Sequence, residues 1–228
     1  MTIAAIIPAF NEEKTIRDTI QALQSIKLID EIWVIDDGST DQTAEIAAAA
    51  GASVHKLAQN RGKGGALAMG VNLAKADILC FVDADLGSSA KEFALLIPPV
   101  LNKETDMAIA AFPPAKRRGG FGLVKGLARY GIVKLCGYRP HSPLSGQRVL
   151  RRCVWEKINC CSAQGFGVEV GLTVECLRNG YRLQEIAVEM THRETGRDLK
   201  GVLHRGRQFL HLLRTLRELW FCQRVRMS

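Results

Sequence analysis

Two carboxylates stand one residue apart in "DILCFVDADLGSS" (77–89), directly after the apolar run Ile78 to Val82. The run reads as a fully buried strand, so Asp83 and Asp85 lie at its mouth. In extended backbone, residues i and i+2 leave on the same side, which brings both carboxylates within reach of one ion or its water shell. Such hard oxygen ligands suit Mg²⁺ or Mn²⁺, and those ions suit a diphosphate. The competing role is a polar turn that caps the helix after Ser88 and Ser89. Lys63, in "NRGKGGALAMG", opens a helix after a Gly-rich turn. A cation there, beside backbone N–H groups, can meet a phosphate, with a solvated surface lysine as the alternative. Asp37 in "VIDDGSTDQT" can accept an N–H from a base edge and Glu12 in "IIPAFNEE" a ribose hydroxyl; helix capping is the competing role for each.

A sheet must position these groups. The first half of the chain alternates short apolar runs with helical patterns, as parallel strands joined by crossover helices do. "IAAIIP" is a strand, followed by Asn11 as cap of a helix with Ile16, Ile20 and Leu23 on one face. "EIWVID" is a second strand, and Ser39 with Gln42 has capping-box spacing for a helix through Ala44 to Ala50. "ASVHKL" is a third strand, "RGKGGALAMGVNLAKA" a turn into a helix, and "DILCFV" the fourth and most apolar strand. Ligands of open α/β sheets bind outside the carboxyl ends of the strands, where Asn11, Glu12, Asp36, Asp37, Asp83 and Asp85 would lie. "GKGGALAMG" lacks G-x-G-x-x-G spacing and follows the third strand, which argues against dinucleotide binding. The second half predicts a strand near "DMAIAAF", a basic loop "PPAKRRGGFG", a helix toward Cys136 and a turn "PHSPLSG". A helix from "GFGVEVGL", a strand in "YRLQEIAVEM" and a long helix from about Leu199 complete it.

At 228 residues, with 47% hydrophobic and 24% charged residues, the chain can build one sizeable core, and no linker divides it. No apolar run is long enough to cross a bilayer, and "MTIAAIIPAFNEE" reaches Pro8 too soon for a signal peptide, so a cytoplasmic protein is expected. The seven cysteines are odd in number and show no C-x-x-C pairing; they predict reduced core thiols, with structural zinc the lesser alternative. The net charge of +8 gathers toward the C-terminus, where eight Lys or Arg from Arg197 onward face two acids. Nucleic acid, anionic lipid and a phosphorylated small molecule would all meet such a surface.

The ordered set "IIPAFNEE", "VIDDGSTDQT", "NRGKGGALAMG" and "FVDADL" resembles the family 2 glycosyltransferases of the GT-A fold over nearly the whole chain. The resemblance implies an α/β fold: a single GT-A-type domain with a mostly parallel, Rossmann-like nucleotide-binding sheet flanked by helices. Residues 1–112 would form the nucleotide-sugar-binding half, 113–198 an acceptor-side half, and 199–228 a basic amphipathic C-terminal helix. It implies a nucleoside-diphosphate sugar as donor, held by Pro8, Ala9, Asn11, Glu12, Asp37, Lys63, Asp83 and Ala84, and Mg²⁺ or Mn²⁺ held by Asp83 and Asp85. Such transfer builds negative charge on the departing diphosphate, which a divalent cation and nearby positive donors stabilise. "SPLSGQRVLRR" is similar to a segment of polyprenyl-phosphate sugar synthases. "GFGVEVGL" with "THRETGRDL" resembles the glucosyl-3-phosphoglycerate synthases, in which the His of the second segment joins the metal, a place taken here by His192. Asp85, Glu169 and Arg193 are the catalytic candidates; Glu169 would orient a sugar or acceptor hydroxyl, or pair with a nearby Arg.

Many inverting members carry a Glu-Asp pair whose Asp deprotonates a sugar hydroxyl, and the second half has none. A phosphate acceptor is already anionic and needs no such base, and a retaining enzyme needs none of that geometry either. Lys116, Arg117, Arg118, Arg148, Arg193 and Arg197 likewise favour a phosphorylated acceptor, either a polyprenyl phosphate or a small acid. No nucleic-acid partner is implied. The tail sets Leu199, Val202, Leu203, Leu210, Leu213, Leu216 and Trp220 at helical spacing beside arginines. It would pack on its own domain, form a homodimer interface, or make peripheral contact with the inner face of the membrane. The rival readings are a sugar-1-phosphate nucleotidyltransferase, which would open with a basic Gly-rich loop where this chain has "PAFNEE", and a nucleotide-binding or membrane-surface module without catalysis.

Overall fold

The computed structural model describes residues 1–112, 122–157, 167–190 and 212–220. Its strands are β1 (Ile3–Ala9), β2 (Glu31–Asp36), β3 (Ser53–Lys56), β4 (Ile78–Phe81), β5 (Met107–Ala111), β6 (Arg148–Arg151) and β7 (Leu183–Ala187). They form one sheet in the order β3-β2-β1-β4-β6-β5-β7, and only β6 runs antiparallel to its neighbours. The helices are α1 (Ile16–Gln24), α2 (Thr43–Ala49), α3 (Gly62–Leu73), α4 (Phe93–Leu101), α5 (Gly122–Cys136), α6 (Arg152–Lys157) and α7 (Val168–Arg178), with a 3-10 turn at Gly87–Glu92.

β1 and β4 are buried on both faces, which is why they read as unbroken apolar runs. One core layer joins Ile16, Ile20 and Leu23 of α1 and Phe93, Leu96 and Ile97 of α4 to one sheet face; the other joins α3 and α7 to the opposite face. Gly70 of α3 allows that helix onto the sheet, because a Cβ there would lie 2.3 Å from Ile6 Cγ2. The sheet passes β1 to β2 and β3 on one side and to β4 on the other. The carboxyl ends of β1, β2 and β4 therefore share one edge at a switch point between β1 and β4.

Several local expectations change. Asn11 does not cap α1, whose N-cap is Thr15. It adopts a left-handed φ of 57° and its Oδ1 accepts the Thr40 N–H at 2.9 Å, so it ties the first strand-end loop to the second. Ser39 does not cap α2 either; its Oγ accepts the Asn11 N–H at 2.9 Å. In both cases a partner on the neighbouring loop displaces the local one. β6 was not foreseen: it lies in "GQRVLRR" and inserts between β4 and β5, so the second half of the chain completes the sheet of the first.

Residues 212–220 are helical and seat Leu212, Thr215 and Leu219 against α5 and α7, in a third core cluster with Val124, Ile132 and Val174. The packed face is therefore Leu212, Thr215 and Leu219 with Leu216 beside them, whereas Leu213 and Trp220 of the expected stripe are exposed. The rest of the predicted tail helix lies outside the described residues. Cys80 and Cys176 are buried thiols and Cys136 and Cys153 partly buried ones, all unpaired, as expected; Cys160, Cys161 and Cys222 lie outside the described residues. Among the described residues no helix is long and apolar enough to cross a membrane.

Candidate active site

The edge where β1, β2 and β4 end carries a connected set of polar groups. β4 stops at Phe81, and Ala84 and Asp85 form a turn, so Asp83 and Asp85 do not lie on one extended segment. Buried Thr19 of α1 shapes that turn: its Oγ1 donates to the Ala84 carbonyl at 2.9 Å and accepts the Gly87 N–H at 2.9 Å. The pattern Ile16, Thr19, Ile20, Leu23 put Thr19 on the apolar face, and a hydroxyl there was the available signal for a buried polar partner.

Asp83 is held from two sides. Its Oδ1 lies 2.7 Å from Lys63 Nζ, and its Oδ2 accepts Gln147 Nε2–H at 2.5 Å. The Asp83 N–H donates to Gln147 Oε1 at 2.9 Å, so one fully buried amide grips both the carboxylate and its own backbone. Lys63, in the first turn of α3, also reaches Glu169 Oε1 at 2.9 Å in the first turn of α7. Where the alternative to a hydroxyl-orienting role was an arginine partner, Glu169 pairs with a lysine. Burial opposes the charge on Lys63, but the Asp83 and Glu169 carboxylates outweigh it and hold the amine above the usual lysine range. The group is a cation throughout the neutral range.

The closeness depends on Gly146. A Cβ there would stand 2.3 Å from Lys63 Nζ and 2.9 and 3.1 Å from the two Asp83 carboxylate oxygens. The loop that delivers Gly146 and Gln147 is anchored by Glu185 of β7, which accepts the N–H groups of His141 and Ser142 at 2.8 and 2.7 Å and the Tyr138 hydroxyl at 3.0 Å. Gly146 and Gln147 lie in "SPLSGQRVLRR", but the sequence gives neither a role, because a Gly-Gln after a turn carries no chemical pattern of its own.

At the ends of β1 and β2, Pro8 and Ala9 pair with Ile35 and Asp36. The Asp37 N–H donates to the Ala9 carbonyl at 2.8 Å, and Asp37 Oδ1 accepts the Arg61 N–H at 2.7 Å, which leads the chain into α3. Buried Asp36 accepts the Ser39 N–H at 2.7 Å and closes the turn behind. The Glu12 N–H donates to Thr43 Oγ1 at 2.8 Å, and its Oε2 accepts the Thr15 hydroxyl at 3.0 Å. Pro8, Ala9, Asn11, Glu12 and Asp37 thus stand at or just beyond the ends of β1 and β2, on the sheet edge where β4 leads into Asp83 and Ala84. Asp83 and Asp85 offer the hard oxygens a divalent ion prefers, and with one or two carboxylates such an ion completes its shell from phosphate and water. Among the described residues no third His, Cys, Asp or Glu joins them. His192, Arg193, Arg197, Lys116, Arg117 and Arg118 lie outside the described residues.

A family model for glycosyl transferase family 2 matches residues 4–161, which span every element from β1 to α6 and most of this site. The chain belongs to that family. It is accordingly a glycosyltransferase with the GT-A fold, and the nucleotidyltransferase alternative falls away. An uncharacterized protein of Methanocaldococcus jannaschii is 32% identical over 206 residues, covering 84% of this chain and 82% of the relative. The glucosyl-3-phosphoglycerate synthase of Mycolicibacterium smegmatis is 31% identical over 196 residues, covering 76% of this chain and 63% of its own length. The glucosyl-3-phosphoglycerate synthase of Mycobacterium tuberculosis has been solved with Mn²⁺, UDP-glucose and phosphoglyceric acid; it superimposes with a TM-score of 0.79 at 28% identity, over 96% of this chain and 79% of that one. The chain thus spans a little under two thirds of the curated synthase from M. smegmatis.

Proposed function

We propose that the protein transfers a hexose, glucose in the first instance, from a uridine diphosphate sugar to a small phosphorylated acid of the phosphoglycerate type. The observation that carries this is the Lys63, Asp83 and Glu169 cluster, set by β4, α3 and α7 at the carboxyl edge of the sheet. The likeness over 96% of the chain to a synthase solved with UDP-glucose and phosphoglyceric acid supports donor and acceptor alike.

In this reading Asp37 accepts an N–H from the base, Glu12 and Asp83 face the ribose, and Pro8, Ala9, Asn11 and Ala84 supply the backbone walls. Asp85, with Asp83 beside it and His192 from the second half, holds Mg²⁺ or Mn²⁺. Bound there, the ion neutralises charge on the departing diphosphate. Lys63, already ionised, adds a second positive charge to the same leaving group as charge develops there. Glu169, 9% exposed at the start of α7, orients a hydroxyl of the transferred sugar. Arg193, with Arg197 and the basic loop of Lys116 to Arg118, meets the acceptor phosphate through bidentate contacts. The phosphate oxygens keep the acceptor anionic, and the acid recognised is soluble rather than lipid-linked.

The test is a donor and acceptor panel with Mn²⁺ or Mg²⁺. UDP-glucose with phosphoglycerate should give a glucosylated acid and UDP, and glycerate should give none. Equal turnover of phosphorylated and unphosphorylated acceptors refutes the acceptor assignment, and transfer to polyprenyl phosphate in its place refutes the soluble acid.

A further inference from the structure

Arg148, the first residue of β6, is the largest fully buried side chain among the described residues, at 1% exposed. Its Nε donates to the Ser145 carbonyl and its Nη1 to Thr173 Oγ1, each at 3.0 Å, while Nη2 is buried without a partner. The Ser145 hydroxyl, on the residue whose carbonyl Arg148 holds, is also buried without a partner. A guanidinium in this position with no carboxylate in ion-pair contact among the described residues is costly, and burial lowers its pKa to about 10, which leaves it a cation at neutral pH. The carboxylate that most offsets that burial is Glu169.

Thr173 follows Glu169 by four residues on α7, so the two lie on one face, and the Thr173 hydroxyl donates to the Glu169 carbonyl at 2.9 Å. The guanidinium therefore meets α7 at Thr173, about one helical turn along from Glu169. In this structure Glu169 is paired with Lys63 at 2.9 Å. A lysine that turns to a diphosphate must leave a nearly buried carboxylate behind, and such a carboxylate needs another cation.

We propose that Arg148 is a positioning residue for Glu169, a reserve counter-ion whose unpartnered Nη2 takes the carboxylate when Lys63 turns to the donor diphosphate. The handover rests on the role given to Lys63 in the proposed function; the pairing itself can be read without turnover.

The test compares thermal unfolding of the full chain as parent, Lys63→Met, Arg148→Met, the double variant, and the double variant with Glu169→Gln. Either single variant leaves Glu169 one cation, so each should cost only the contacts it removes directly: Asp83 for Lys63, and the Ser145 carbonyl and Thr173 for Arg148. The double variant strands the carboxylate, so its Tm should fall by about 6 °C or more beyond the sum of the singles, and Glu169→Gln should restore most of that excess. Additive shifts, or no rescue by Glu169→Gln, overturn the pairing. A double variant that fails to fold while the triple variant folds supports it, and failure of both overturns it. With UDP-glucose, Mn²⁺ and phosphoglycerate, Arg148→Met should lower kcat about tenfold while UDP affinity changes less than about twofold. Parent kcat in Arg148→Met overturns the handover. A parent without turnover but with the excess Tm loss refutes the functional reading and leaves the Arg148–Glu169 pairing standing.

Discussion

Replacing Gly146 by Ala adds one methyl group at the point where the second half of the chain meets Lys63 and Asp83. The backbone tolerates it, because Gly146 is not among the glycines with positive φ, so any effect comes from contact alone. The new Cβ would stand 2.3 Å from Lys63 Nζ, where ordinary contact begins at 3.4 Å. The amine must retreat by about 1 Å, and since it is held at 2.7 and 2.9 Å by Asp83 and Glu169, at least one pair lengthens. Asp83 cannot follow freely, because Gln147 fixes its other oxygen. Lys63 is about a third exposed, so the stability cost is modest, about 1 kcal/mol, or a Tm lower by about 2–4 °C. The rate should suffer more, falling up to about a hundredfold, because a 1 Å displacement of a charge-stabilising group is costly in the transition state. Dye-monitored unfolding and UDP release with saturating donor and Mn²⁺ measure the two effects on one preparation. Gly126→Ala, on an open and exposed face of α5, is the matched control and should be neutral or stabilising by about 0.5–1 kcal/mol. Parent kcat/KM in a folded Gly146→Ala protein would refute the claim that this close approach positions the amine.

Asp85→Ala should abolish metal-dependent transfer while changing Tm by no more than about 2 °C, since the side chain stands in a turn outside the core; metal titration of activity checks it. Gly70→Ala should cost about 1–3 kcal/mol in chemical denaturation, because its Cβ would meet Ile6 Cγ2 at 2.3 Å and Ile35 Cγ1 at 3.1 Å. Asp106 carries a pH signature: burial works to raise its pKa, but hydrogen bonds from Arg182 and Arg151 prevail and hold it below the ordinary aspartate range. A depressed folded pKa stabilises above the unfolded value and is lost as pH falls through it. Asp106→Asn should therefore lower stability by about 1 kcal/mol at pH 7, discounted because Arg151 and Arg182 are partly exposed, and the gap to the parent should close below about pH 4. A gap that persists in acid would refute the charge argument.

The linear chain alone determined the four N-terminal strands and which of them would end in carboxylates. That is a matter of local physics: a strand buried on both faces must be continuously apolar, and polar residues at its end cannot continue inward, so "DILCFV" followed by Asp83 marks both the strand and its mouth. The Gly-rich entry to α3 was legible for the same reason, since a turn into a helix needs residues of that kind. The cap assignments at Asn11 and Ser39 went astray because a side chain that can cap its own helix can as readily bond a neighbouring loop, and only packing decides between them.

Tertiary structure alone decided what surrounds Asp83. β6 is four residues long with no alternation to distinguish it, and its place between β4 and β5 comes from hydrogen-bond ladders to residues some 40 to 70 positions away. That insertion carries Gly146 and Gln147 onto Asp83, 64 residues from Gln147 in sequence, and seats Arg148 beneath α7. It also settles that Glu169 faces a lysine from α3, because a carboxylate pairs with whichever cation the packed helices present at bonding distance, and no spacing along the chain encodes that distance.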